Sequence, residues 1–221
     1  MAVQGRALTR QDRSADDAGP KVTRRAVLFM CRNSVDFRCG NTSPQLVLLG
    51  ACPGQEEWAA RPQRPFAARS GINLLTLLAV LDRLAGRELY GLRRGDFRSQ
   101  NIDDYTLMNA HAVPKWPARD GRSTPRMAEV ESADNLPRLS RQLRAVQAKV
   151  VIGLGRPINY AHLRVRGRDS GPMRAIRLLK PVQPGVVFLV TGHPSPRAIN
   201  RFGGGDQERG FEEKLSVFPP Q

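Results

Sequence analysis

Cysteine is scarce in this 221-residue chain, and its three copies, Cys31, Cys39 and Cys52, form neither a disulfide framework nor the paired spacing of a zinc site. The three histidines, at 111, 162 and 193, are scattered, so no metal centre and no cofactor is expected. Cysteine usage of this kind fits a reducing compartment, and the cytoplasm is the expected location. No apolar stretch reaches the length of a membrane span, so no membrane partner is expected; residues 1–20 lack the apolar core of a signal peptide. Acid is also in deficit: 20 Asp and Glu face 35 Lys and Arg, giving a net charge of +15. Lysine occurs only at positions 21, 115, 149, 180 and 214, so arginine carries the surplus. Such a balance concentrates polyanions at the surface, and nucleic acid is the commonest of them.

Three familiar enzyme signatures are missing as well. Gly50-Ala-Cys-Pro-Gly54 is not followed by Gly-Lys-Ser/Thr, which argues against nucleoside triphosphate binding. Gly153-Leu-Gly155 has Ile158 where a dinucleotide fingerprint needs its third glycine. Ser195 lies outside any Gly-x-Ser-x-Gly elbow, so it is not read as a hydrolase nucleophile.

What is present alternates between strand and helix. Residues 1–22 are polar and poor in large apolar groups, which predicts a disordered basic arm ahead of one domain over 23–221. Residues 24–32 hold a short apolar run that fits strand or helix. Buried strands are predicted over 46–49, 105–108, 149–154 and 186–190. Leu74, Leu77, Leu78, Leu81 and Leu84 repeat at helical spacing, which predicts a helix from about 71 to 86. A second helix is predicted from an Asn135 N-cap, with Pro137 in its first turn, through Val146. Residues 110–131 read as loop, a short helix is expected at Pro157, a basic loop carries Arg164, Arg166 and Arg168, and a closing helix is expected between 206 and 218. This order predicts an α/β domain whose mainly parallel sheet is covered on both faces. Ligands of such sheets sit beyond the carboxyl ends of the strands.

Three of those ends carry chemistry. Gly50 to Gly54 is a side-chain-poor turn that lets a flat ligand approach the backbone. Asn109 offers donors and an acceptor that suit one edge of a nucleobase. His193, stiffened by Pro194 and Pro196, suits an oxygen that becomes negative as a bond breaks. Phe66, between Arg64 and Arg69, is either a stacking platform or an ordinary core residue. Arg197, Asn200 and Arg201 place a basic rim after the histidine turn.

As an ordered set these pieces resemble the uracil-DNA glycosylase superfamily, from about Leu46 to Arg201. Gly50-Ala-Cys-Pro-Gly54 with Arg64-Pro-Phe-Ala-Ala-Arg-Ser-Gly71 is similar to the family's first motif, and Thr106-Leu-Met-Asn109 to its base-reading strand. Val150-Val-Ile-Gly-Leu-Gly155 resembles the strand and turn before the last helix, and His193-Pro-Ser-Pro196 the histidine motif. The resemblance implies a single three-layer α/β/α domain, expected as a monomer, that flips a nucleotide out of duplex DNA and hydrolyses its N-glycosidic bond. It implies substrate contacts from Gly50, Ala51, Cys52, Gly54, Phe66 and Asn109, with Asn109 and His193 catalytic. DNA contacts are expected from Arg69, Ser195, Arg197, Ile199 and Arg201.

The departures from the family pattern shape the expected substrate. Ala51 and Cys52 stand where many members carry an acid or amide that positions water, which leaves either another acid, with Glu56, Glu57 and Asp82 as candidates, or reliance on His193 and a good leaving group. Members with an iron–sulfur cluster need four cysteines, and Val113 falls near one of those places, so no cluster is expected. Gly54 replaces the tyrosine with which uracil-strict members block the 5-position. Uracil, or a bulky 5-modified pyrimidine such as the hypermodified bases of phage DNA, is therefore the expected substrate, the latter implying an antiviral role. A DNA-binding protein without catalysis is the alternative.

Overall fold

A computed structural model describes residues 34–40, 46–67, 69–85, 95, 97, 99–155, 170–195 and 206–217. The N-terminal arm, the apolar run at 24–32, the basic loop at 164–168 and the segment beginning at Pro157 lie outside these residues. Six strands form one sheet: β1 (Phe37–Arg38), β2 (Leu46–Gly50), β3 (Thr106–Asn109), β4 (Val150–Leu154), β5 (Val187–Thr191) and β6 (Ser216–Val217). Their order is β1-β3-β2-β4-β5-β6. The central four run parallel, with Gly50 opposite Asn109 and Leu154 opposite Thr191, and the two edge strands are antiparallel.

The apolar strands are buried on both faces because successive side chains alternate across a sheet. Leu46 and Leu48 of β2, with Ile152 and Leu189, pack against α2 (Arg69–Ala85) through Leu74, Leu77, Leu78 and Leu81, and against Phe211 of α7 (Gln207–Lys214). Val47 and Leu49, with Val151 and Val190, face the other way. They pack on Leu139 and Leu143 of α5 (Asn135–Ala145) and on Ala175, Ile176 and Leu179 of α6 (Gly171–Leu179). Each fully buried leucine contributes about 1.5–3 kcal/mol relative to exposure, so the helix–sheet–helix sandwich is held mainly by these two faces. The predicted mixed α/β class and the four central strands therefore stand.

Several local readings need correction. Residues 110–131 are not simply loop: they contain α3 (Pro117–Asp120) and α4 (Met127–Val130), each too short to leave a periodic signal. Asn135 is the first residue of α5 and not its cap. Its buried carboxamide donates instead to the carbonyls of Ala110 at 2.8 Å and Val130 at 2.7 Å. Helix α6 lies where no element is predicted, between the basic loop and the last predicted strand. Ser170 caps it by accepting from the Met173 amide, and Pro172 lies in the first turn, where its missing N–H costs nothing. Cys39 is disulfide-bonded and Cys52 is a free thiol, although the spacing of the cysteines gave no sign of a bridge.

Candidate active site

The strand order reverses between β2 and β4, because the chain passes from β2 outward to β3 and then returns to the other side of β2 for β4. Such a reversal opens a crevice at the carboxyl ends of the strands. A cavity of about 580 Å³ lies there, lined by Ala51, Cys52, Gly54, Glu57, Phe66, Ser70, Asn109, Ser123, Thr124, His193 and Ser195. Its size falls within the range of about 300–1,000 Å³ typical of small-ligand pockets.

The floor is set by Gly50. A Cβ on this residue would lie 2.5 Å from Asn109 Oδ1 and 2.7 Å from Phe66 Cζ, so only glycine lets the amide and the ring close in over the strand end. Asn109 is 3% exposed. Its main chain is fixed from two sides: the amide donates to the Asp36 carbonyl at 2.9 Å, and the carbonyl accepts from Arg138 Nη2 at 3.0 Å. Arg138 in turn pairs with the Asp36 carboxylate at 2.7 Å. Burial lowers the pKa of this guanidinium, and the Asp36 charge opposes that shift. The Gly50–Pro53 turn is pinned by amides of the following segment, with Ala110 donating to Gly50, His111 to Ala51 and Lys115 to Pro53.

Phe66 resolves as both core residue and cavity wall. It belongs to the buried cluster beneath α2, yet its ring also lines the cavity. Its φ of 55° lies in the left-handed region, which costs a bulky residue on the order of 1–3 kcal/mol. Gly71 makes that turn possible, since a Cβ there would sit 2.2 Å from the Phe66 carbonyl oxygen. A second cavity of about 870 Å³ lies beside the first and shares Phe66, with Arg64, Arg69, Ile72 and Asn101 on its walls. Arg69 therefore stands outside the first cavity, on the neighbouring surface.

His193 is half-buried at the end of β5. The Ser195 amide donates to His193 Nδ1 at 3.0 Å, which leaves the proton of the neutral imidazole on Nε2. Burial pushes the pKa of this histidine down, favouring that neutral form. The turn is tied to α2 by Asn73, a buried side chain whose Nδ2 donates to the Pro194 carbonyl at 2.6 Å. Sequence gave no sign of that bond, which spans 121 positions.

Of the three acids considered, only Glu57 lines the cavity. Glu56 is exposed, and Asp82 accepts from the Gly95 amide at 2.8 Å. Glu57 belongs to α1 (Gln55–Ala59), and its Oε2 accepts from the Gly54 amide at 2.7 Å. Burial raises its pKa. Cys52 donates to the Ser123 carbonyl at 3.6 Å, and its pKa is pushed up to about 12, chiefly by burial and then by the Glu57 charge, so it is a thiol and not a thiolate. Ser70, Ser123 and Thr124 complete the wall. Ser70 sits within the Arg64–Gly71 stretch, whereas Ser123 and Thr124 come from a loop with no distinguishing pattern. Arg197, Ile199 and Arg201 lie outside the described residues. Among the described residues, no group of three or more His, Cys, Asp or Glu is placed to hold a metal, and no helix is long and apolar enough to cross a membrane.

Of the residues singled out in the sequence, Ala51, Cys52, Gly54, Phe66, Asn109, His193 and Ser195 thus share one cavity, with Gly50 beneath it. No curated protein matches the chain. A family model described as the uracil DNA glycosylase superfamily matches residues 37–216, which hold every strand of the sheet except the last residue of β6, and the chain belongs to that superfamily.

Proposed function

We propose that this glycosylase-family chain removes an altered pyrimidine from DNA, with Phe66, Asn109 and His193 as the residues that hold and release the base. The observation that carries the reading is the convergence of those three side chains, from separate elements, on one cavity floored by Gly50. A nucleotide flipped into it stacks on the Phe66 ring and presents its edge to the Asn109 amide. As the C1′–N1 bond breaks, its electron pair passes to the base, and negative charge collects on O2. His193 donates its Nε2 proton in a hydrogen bond to that oxygen, and the Ser195 amide on Nδ1 keeps the ring in the required tautomer. Stabilisation of this kind favours the leaving base more than the bound substrate, which is the condition for catalysis.

Gly54 supports a substrate with a substituent at the 5-position, because no ring from that position narrows the cavity. A hypermodified base of phage DNA fits this expectation, and with it a defensive role through abasic sites. The basic balance of the chain suits a DNA partner, and a monomer suffices for a site drawn from one chain.

The test is a panel of duplexes carrying uracil, a thymine mismatch or a 5-substituted cytosine, scored for abasic sites at excess enzyme. Release that is lost in His193→Ala and Asn109→Ala, with DNA binding kept, supports the reading. A wild-type chain that binds every duplex and releases no base is a DNA-binding protein without catalysis, and the proposal fails.

A further inference from the structure

We infer that Glu57 is the catalytic carboxylate that orients and deprotonates the water in this site, a role that rests on the glycosylase reading above. Ala51 and Cys52, at the opening of the Gly50–Gly54 turn, supply no carboxylate to the cavity. Cys52 is a thiol donating to the Ser123 carbonyl and has no anionic form to offer near neutral pH. Glu57 comes instead from the first turn of α1, one helical turn after Gly54, and enters the same cavity as Phe66, Asn109 and His193.

Backbone amides hold this carboxylate in place at the cavity wall. Oε2 is engaged by the Gly54 amide at 2.7 Å, which fixes the carboxylate against the turn that floors the cavity. The carboxylate also accepts from its own backbone amide, and with about four lone-pair sites it keeps room for a hydrogen bond from water. A Cβ at Gly54 would stand 2.7 Å from Glu57 Oε2, so a side chain there pushes the carboxylate away from this position. That coupling gives Gly54 a second reason to lack a side chain, besides the room it leaves for the base.

The step balances without any further reactant. The C1′–N1 bond breaks with its electron pair leaving on the base. The water oxygen then bonds to C1′ while one of its protons passes to Glu57, and that proton is later returned to the base or to solvent. Burial raises the basicity of this carboxylate, as general-base work requires. Its titratable surroundings are Glu56 on the same helix, Cys52 on the preceding turn and His193 on the same cavity wall.

A purely structural Glu57, serving only to cap α1, makes the same bond to Gly54, and the experiment has to separate the two roles. Glu57→Gln keeps an oxygen for the Gly54 amide and removes the base. General-base catalysis contributes typically about 100- to 10,000-fold, so single-turnover release by Glu57→Gln is expected to fall by at least about 100-fold. Binding to a duplex bearing an uncleavable abasic analogue, and the melting temperature, should stay at wild-type values. Added formate should restore part of the rate in Glu57→Ala, because a free carboxylate replaces a base and not a helix cap. Wild-type rates in Glu57→Gln would overturn the assignment. A rate loss accompanied by equal losses of binding or folding, with no formate rescue, makes the residue structural and overturns it as well. Failure of the glycosylase reading itself is separately visible, since the unaltered chain then releases no base from any duplex of the panel.

Discussion

Replacing Gly50 by alanine probes the floor of the site with a single methyl group. The new Cβ would lie 2.5 Å from Asn109 Oδ1, 2.7 Å from Phe66 Cζ and 3.2 Å from Phe66 Cε1. Carbon atoms rest about 3.5–4.0 Å apart, so the ring has to withdraw by roughly 1 Å. Neither neighbour has an easy retreat. Phe66 is packed in the core and held in a left-handed turn against Gly71, and the Asn109 main chain is clamped by Asp36 and Arg138. A misplacement of about 1 Å at reacting groups costs about 100-fold in rate. At about 1.4 kcal/mol per decade that corresponds to nearly 3 kcal/mol of transition-state stabilisation. Overpacking also destabilises the fold, by about 1–3 kcal/mol. Single-turnover release from whichever duplex the wild-type chain cleaves reads the first effect, and the melting temperature reads the second. The Asn109 side-chain amide resonances should shift in the folded variant. A Gly50→Ala chain with wild-type rate and unmoved Asn109 resonances would refute the reasoning.

Two further outcomes test the histidine turn. Asn73→Ala leaves the Pro194 carbonyl without its donor, a loss of about 1–3 kcal/mol, and is expected to slow base release while leaving DNA affinity near the wild-type value; equal losses of both would argue against a positioning role. Burial lowers the pKa of His193, so the unfolded chain binds its proton first as pH falls. The stability this histidine contributes is therefore complete above about pH 6.5 and declines as pH drops toward its folded pKa. His193→Gln should flatten the fall of melting temperature over that acid window, and an unchanged profile would show that another group governs it.

The chain announced its strands and its chemistry at different strengths. Short apolar runs that end at turn residues, such as Leu46-Val-Leu-Leu49 before Gly50, read as strands buried on both faces, and four of the six described strands were legible for that reason. The paired residues of β1 and β6 carry no pattern, since two positions make no period. Helix α6 has no counterpart among the predicted elements: a Gly-Pro pair such as Gly171-Pro172 can end one element or begin another, and only the Ser170 cap separates the two cases. At the site, residues that close strands could be found by order along the chain. Asn73, Ser123 and Thr124 could not, because their relevance arises from contacts that tertiary packing alone creates. Glu57 sat between these cases: sequence admitted three acids, and geometry brought one of them into the cavity.

The strand order carries a consequence for the life of the chain before it is complete. The cavity draws on a turn near residue 51, a strand end at 109 and a histidine at 193, so its walls span most of the polypeptide. Contacts of such long sequence separation form late and slowly. During synthesis the first two walls emerge well before the third, and until β5 docks beside β4 the His193 wall is missing. A ribosome-bound or truncated fragment ending before that strand holds the Gly50–Gly54 turn and Asn109 without the wall that His193 and Ser195 supply. The cavity is thereby completed only after β5 has been made.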